Sequence, residues 1–162
     1  MSEIKFKGIA NDAALFFQKE QLMDTKLWKK FVDVFRSRPD AKTGGWRGEF
    51  WGKMMRGASF VYSYTKNPEL YNVLTQTVND MIDSADENGR ISSYAVNHEF
   101  DGWDMWSRKY VLLGLQYFLE ICTSTELSDK IVESMCKQVD YIMTKIGHKE
   151  DGKKPITSAT RH

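Results

Sequence analysis

Tyr110-Val111-Leu112-Leu113-Gly114-Leu115-Gln116-Tyr117-Phe118-Leu119 is apolar nearly all the way round a helix. A helix with one face in water keeps a polar stripe, and this segment has none. The sequence therefore predicts a helix over 103–122 that is buried on all sides. The next segment differs: Leu127, Ile131, Met135, Val139, Ile142 and Ile146 form a single stripe, the mark of an outer helix over 126–146. Upstream the same pair of patterns recurs. Met54, Met55, Ala58, Phe60, Val61 and Tyr62 cover most of a helix over 47–65. Leu70, Leu74, Val78, Met81 and Ala85 give one stripe over 68–86. Helices thus alternate inner, outer, inner, outer, in two hairpins.

The hairpins repeat. At an offset of 57 positions, Gly45-Trp46 falls on Gly102-Trp103, Gly57 on Gly114, Glu69-Leu70 on Glu126-Leu127, Leu74 on Ile131 and Val78 on Met135. A glycine on each inner helix lets those helices approach closely. The period exceeds the roughly 34 residues of tetratricopeptide units and the roughly 40–47 of HEAT units. Ahead of the hairpins, Asn11 to Arg36 reads as one or two helices. Ser37-Arg38-Pro39-Asp40 and Thr43-Gly44-Gly45 close that segment. Behind them, His148 to His162 reads as a charged linker, and one more step of 57 from Trp103 lands on Thr160. Nothing there has the polar cap that usually ends a repeat array. The expectation is a fragment that stops before a third hairpin.

Composition narrows the function. Lys and Arg number 23 against 22 Asp and Glu, a net charge of +1 without the basic excess of a nucleic-acid binder. No run of about 18 apolar residues suggests a membrane span. Met1 to Ala10 lacks the continuous apolar core of a secretory signal, and localisation stays open. Aromatics make up 13% of the chain, five of them Trp, enough to serve a ligand as well as a core.

Two motifs concentrate the chemistry: Gly45-Trp46-Arg47-Gly48-Glu49-Phe50-Trp51-Gly52-Lys53 and Phe100-Asp101-Gly102-Trp103-Asp104-Met105-Trp106-Ser107-Arg108-Lys109-Tyr110. Both open inner helices, so the repeat puts them at one end of the assembly. Aromatic faces stack on the apolar face of a furanose or pyranose, while Arg and carboxylates bind its hydroxyls. The candidate substrate-binding residues are Arg47, Glu49, Trp51, Trp103, Asp104, Trp106 and Arg108. Tyr94 and His98 join them from the connection that begins Asp86-Glu87-Asn88-Gly89-Arg90-Ile91. A structural reading competes: Trp46 and Trp103 plug hairpin ends, and Glu49 and Asp104 complement the positive N-terminal ends of their helices. Adjacent helices pack about 8–10 Å apart, and inverting glycosidases hold their carboxyl groups roughly 6.5–9.5 Å apart. Glu49 and Asp104 fit such a pair without being singled out. His98, Glu99, Asp101 and Asp104 imitate a metal cluster, but no helical His pair or multi-cysteine spacing supports one. Cys122 and Cys136 should lie about 13 Å out of step along their helices, too far for a disulfide.

From Gly45 to about Ile146 the chain resembles the N-terminal part of the β-L-arabinofuranosidase-type glycoside hydrolases, family 127 and its relatives. The two aromatic motifs carry the resemblance, helped by the acidic-Gly turn at Asp86 to Ile91. It implies an all-α fold of helical hairpins forming an incomplete (α/α)6 toroid. On this reading 1–44 is an N-terminal helical segment, 45–147 two hairpins, and 148–162 a linker toward a missing third. It also implies a cysteine nucleophile near a zinc site and a glutamate acid/base, all downstream of the matched stretch. Neither cysteine here carries them over, so no catalytic residue, metal or cofactor is expected in this chain. The run Ser107-Arg108-Lys109-Tyr110 departs from the His-Glu-Leu-Tyr of the best-known branch. The expected role is part of a carbohydrate-binding rim, inactive alone. Its expected partners are carbohydrate, the remaining hairpins of a parent protein, and a second copy paired through the exposed inner-helix face. The alternative is a self-standing helical interaction module.

Overall fold

The structure is a computed structural model that describes residues 7–41 and 45–159. Thr43, Gly44, Thr160 and most of Met1 to Ala10, which figure in the expectations above, lie outside the described residues. Among those residues the chain is all-α, with two isolated β-bridges and no strand.

The helices are α1 (Ile9–Phe17), α2 (Thr25–Ser37), α3 (Glu49–Thr65), α4 (Pro68–Ile82), α5 (Asp104–Leu119), α6 (Thr125–Lys145) and the short α7 (Ile156–Ala159). A π-helical turn, Gln18–Leu22, prolongs α1. Local chemistry fixes several starts. Asp24 accepts from the backbone N–H groups of Lys26 and Leu27 at 2.9 and 3.0 Å, capping α2. Asn67 caps α4 through Glu69 and Leu70, with Pro68 at the first helical position. Ser124 caps α6 through Leu127. Asn67 and Ser124 are themselves 57 positions apart, so the repeat extends to the caps.

The helices lie in two layers. α1 with its π turn packs on α3, and α3 packs most intimately on α5. In the other layer α2 packs on α4, and Arg36 Nη2 ties them by reaching Asp80 Oδ1 at 2.6 Å. Lys130 of α6 reaches Asn79 and Asp83 at the end of α4, each at 3.1 Å. The N-terminal segment is therefore a full member of the core: Trp28, Val32 and Phe35 of α2 are buried. The Trp28 ring meets Trp51 edge-on at 6.5 Å. Each indole N–H is satisfied, by Leu22 O at 2.8 Å and Thr77 Oγ1 at 3.0 Å respectively.

Two features differ from the sequence reading. α5 buries more of its residues than α6, as alternation requires, but α3 is no more buried than α4. α2 covers α4 from outside, while α3 leaves Lys53, Arg56 and Phe60 in water. The close approach of α3 and α5 also uses a different glycine. A Cβ on Gly52 would stand 1.8 Å from Tyr110 O, and one on Gly114 would stand 2.9 Å from Gly52 Cα. Gly57, the repeat partner of Gly114, faces open space. The stretch after α6 folds back on the protein: Ile146 bridges Lys154, Lys154 Nζ donates to Phe100 O, and Ala159 is buried.

Gly52→Ala is expected to lower stability by about 3 kcal/mol or more, at the upper end of overpacking costs. Gly57→Ala should raise it by about 0.5–1 kcal/mol, the ordinary gain at an unobstructed helix position. Urea unfolding of the two variants decides which glycine forms the seam.

Candidate functional site

The connection from α4 to α5 builds the site from below. Asp86 Oδ1 accepts from the N–H groups of Asn88 and Arg90, each at 3.1 Å, and Gly89 takes the positive φ of 74° that the turn requires. The chain then runs through Ile91, Ser92, Ser93 and Tyr94, all buried. Asp40 N donates to Ser93 O at 3.0 Å, which stitches the end of the N-terminal segment to this run.

Charged side chains fill the space between this connection, α5 and α6. Glu99 Oε2 accepts from Arg90 Nε at 2.8 Å and from Arg108 Nη2 at 3.1 Å. Tyr141 Oη donates to Glu99 Oε1 at 2.8 Å. Arg90 also donates to Tyr94 O and lies 3.7 Å from Asp86, which Arg38 approaches at the same distance. Arg108 Nε donates to Asp104 Oδ2 at 3.0 Å. The series Arg38, Asp86, Arg90, Glu99, Arg108, Asp104 alternates in sign and sums to zero. Arg108 also lies over the Phe100 ring, 4.5 Å from its centroid.

Asp104 is wholly buried. Besides Arg108 it accepts from Ser92 Oγ at 2.5 Å and Phe100 N at 2.7 Å. Phe100 has φ 56°, which a bulky side chain rarely adopts and which costs on the order of 1–3 kcal/mol. The Asp104 carboxylate holds that backbone in place. Trp51, Tyr94, Asp104 and Arg108, proposed from sequence as ligand contacts, are thus corrected to buried framework. An acidic residue in the first turn of a helix reads as solvent-facing until its partners from another segment are known.

Above this framework the two aromatic motifs meet. The Tyr94 hydroxyl donates to Gly45 O at 2.7 Å and accepts from Trp103 N at 3.0 Å, so one side chain joins both Gly-Trp pairs. Trp106 Nε1 donates to Glu49 Oε2, 57 positions away. The N-terminal ends of α3 and α5 therefore stand side by side, and neither carries a side-chain cap. Trp46 is 47% exposed and meets Phe50 edge-on at 5.4 Å. Trp103 meets Trp106 at 5.8 Å, and Trp106 meets Tyr110 at 5.2 Å. Arg47 reaches from the surface to buried Asp40 at 2.6 Å. Of the proposed residues, Arg47, Glu49, Trp103 and Trp106 share this rim. His98 sits on a single 3₁₀ turn (Val96–His98) beside Asn97. Trp46, Lys53, Lys109 and Tyr110 belong to the rim but were not among the sequence candidates. For Lys53 and Tyr110 the signal was their spacing from Glu49 and from Trp106, i to i+4 on one face.

Glu99 and Asp104 are engaged by arginines, and among the described residues no three His, Cys, Asp or Glu side chains could hold a metal ion. Cys122 and Cys136 are free. Among the described residues no helix is long and apolar enough to cross a membrane. No family model, no curated protein and no solved structure matches the chain.

Two expectations follow from the charged framework. Glu99→Gln leaves Arg90 and Arg108 buried without their shared counter-charge and should cost about 3–5 kcal/mol by denaturant unfolding. Burial and the hydrogen bond to Glu99 push the Tyr141 hydroxyl up to about 12, from 10.0. The folded protein holds that proton more tightly than the unfolded chain does. Its stabilisation is full below pH 10.0 and fades as the pH rises toward about 12. The stability difference between wild type and Tyr141→Phe should accordingly stay constant up to pH 10.0 and shrink above it.

Proposed function

We propose that the chain is part of the catalytic barrel of a glycoside hydrolase of the α/α-toroid kind, and that its share of the work is a carbohydrate-binding rim. The observation that carries this reading is the junction of the two Gly-Trp motifs through Tyr94 and through Glu49 with Trp106. That junction gathers Trp46, Trp103, Trp106 and Arg47 at one end of the α3–α5 pair. Aromatic rings supply stacking surface, and Arg47 and Glu49 supply hydrogen bonds to hydroxyls, the division of labour that sugar sites use. The layering of α1, α3 and α5 against α2, α4 and α6 agrees with three successive hairpins of such a ring. The resemblance of the Gly45–Lys53 and Gly102–Leu115 stretches to family 127 supports the same reading, with further hairpins packing beyond α6.

Catalysis is not assigned to these residues. A general acid or base must reach the proton it moves, and Asp104 is sealed beneath Ser92, Phe100 and Arg108. Glu49 is left without a second accessible carboxylate among the rim residues named. The 162-residue chain should therefore leave aryl glycosides intact. Robust hydrolysis abolished by Glu49→Gln would restore the paired-carboxylate mechanism.

A second reading, a helical interaction module, has one observation of its own. Val132, Cys136, Val139 and Met143 form an exposed stripe on α6, and Leu112 and Leu113 of α5 are half-covered. A second copy of the chain pairing there would bury it. Light scattering across a dilution series reports that association directly.

Tryptophan fluorescence titrations with arabino-oligosaccharides and other glycans test the rim. Trp46→Ala and Trp103→Ala should each weaken saccharide binding about tenfold, the loss of roughly one ring-stacking contact. Unchanged affinity in both variants would remove the rim and favour the interaction module.

A further inference from the structure

Lys53 of α3 and Lys109 of α5 reach toward the same two rings. Lys109 Nζ lies 3.5 Å from the Trp106 centroid and 4.2 Å from that of Tyr110. Lys53 Nζ lies 6.0 and 5.0 Å from the same two centroids. Two ammonium groups drawn to the same pair of rings repel unless negative charge offsets them. Glu49 answers only Lys53, at 2.8 Å. Among the described residues Lys109 has no carboxylate partner. Farther along α3, Arg56 lies 5.4 Å over the Tyr117 ring. Lys53, Arg56 and Lys109 are all exposed, whereas the Glu49 side chain is only 13% exposed. The chain as a whole carries a net charge of only +1, so this face holds a local cationic excess.

The rings position these cations without neutralising them. An ammonium lying 3.5 Å above Trp106 also closes that face of the indole to stacking by a neutral sugar. An anionic ligand meets the opposite situation: it draws the lysines off the rings and onto itself, gaining charge-assisted hydrogen bonds. Trp46, 47% exposed just ahead of α3, offers ring surface beside them.

We infer that the exposed face of α3 and α5 takes an acidic saccharide, a uronate-bearing glycan whose carboxylate is held between Lys53 and Lys109, with Arg56 serving a further acidic unit. The inference rests on the carbohydrate-rim reading and narrows its substrate class.

Calorimetric titration of the full chain with trigalacturonate and with its trimethyl ester tests it, because esterification keeps the sugar rings and removes the charge. The acid should bind about tenfold more tightly than the ester at low salt, with the gap narrowing as salt is added. Lys53→Met combined with Lys109→Met should erase the gap while circular dichroism stays unchanged. Lys109→Met alone, at an exposed position, should reduce it about threefold, on the order of one surface charge contact. Ester binding as tight as the acid overturns this inference and leaves the rim reading in place. Binding of neither saccharide overturns both. Polyglutamate of equal charge binding as tightly as trigalacturonate would mark a general polyanion surface, and the saccharide assignment would fall.

Discussion

Glu99 is the carboxylate on which three segments of the chain converge. Arg90 comes from the turn after α4, Arg108 from the first turns of α5, and Tyr141 from the second half of α6. Both guanidinium groups are almost completely withdrawn from water, so each needs a fixed negative neighbour to remain there. Replacing such a cluster by well-packed hydrophobic side chains is often neutral or stabilising, so its value here is not stability as such. An apolar side chain fills volume from any direction. A guanidinium held by two carboxylates has to point one way. Arg108, held by Glu99 and Asp104 together, sets the rotation of α5 about its axis and with it the side on which Trp106 and Lys109 emerge.

The second constraint is the contact between α3 and α5. Helix axes ordinarily stay about 8–10 Å apart because side chains intervene. At Gly52 and Gly114 there are none, and the Gly52 backbone meets the Tyr110 carbonyl and the face of α5. This seam lies one turn beyond Glu49. The closeness it permits brings the Glu49 carboxylate within reach of the Trp106 indole and lets Lys53 reach rings that belong to the neighbouring helix. The rim is therefore a consequence of missing side chains one turn below it.

Much of this was legible in the sequence because it follows from periodicity. The all-apolar run around Val111 to Leu119 gives the most buried helix, and the apolar stripes locate the four long helices to within a few residues. The pairing of the two Gly-Trp motifs was also readable, because a repeat places equivalent residues at equivalent ends. What was not readable depends on partners distant in sequence. Nothing in Asp104 or Arg108 alone announces burial, since it requires Ser92, Glu99 and the left-handed Phe100. The seam glycine could not be told from Gly57 by the repeat, because helical phase differs by five positions between Gly52 and Gly57 and only one faces α5. The helical character of Asn11 to Arg36 was visible, yet its role in covering α4 depends on which neighbour α2 packs against, and the hairpin repeat does not include α2.

The division between framework and rim has a physical consequence for binding. Association loses affinity whenever side chains and loops must be ordered in the complex. Here the backbone at both Gly-Trp motifs is already tied to Tyr94, and Tyr94 in turn sits on a buried run that Asp40, Arg90 and Ser92 hold from below. The Trp46 and Trp103 rings therefore start from fixed backbone positions, and binding of the proposed kind would need little further ordering. The lysines are the opposite case. Lys109 rests on a long flexible stem against ring faces, a weak placement that a stronger partner can displace, while Glu49 also holds Lys53 at 2.8 Å. On the proposed reading, a rigid aromatic floor with a movable cation above it would favour ligands that combine a flat apolar face with negative charge, because such a ligand would use the floor without rearranging it and draw Lys109 from the rings at little cost.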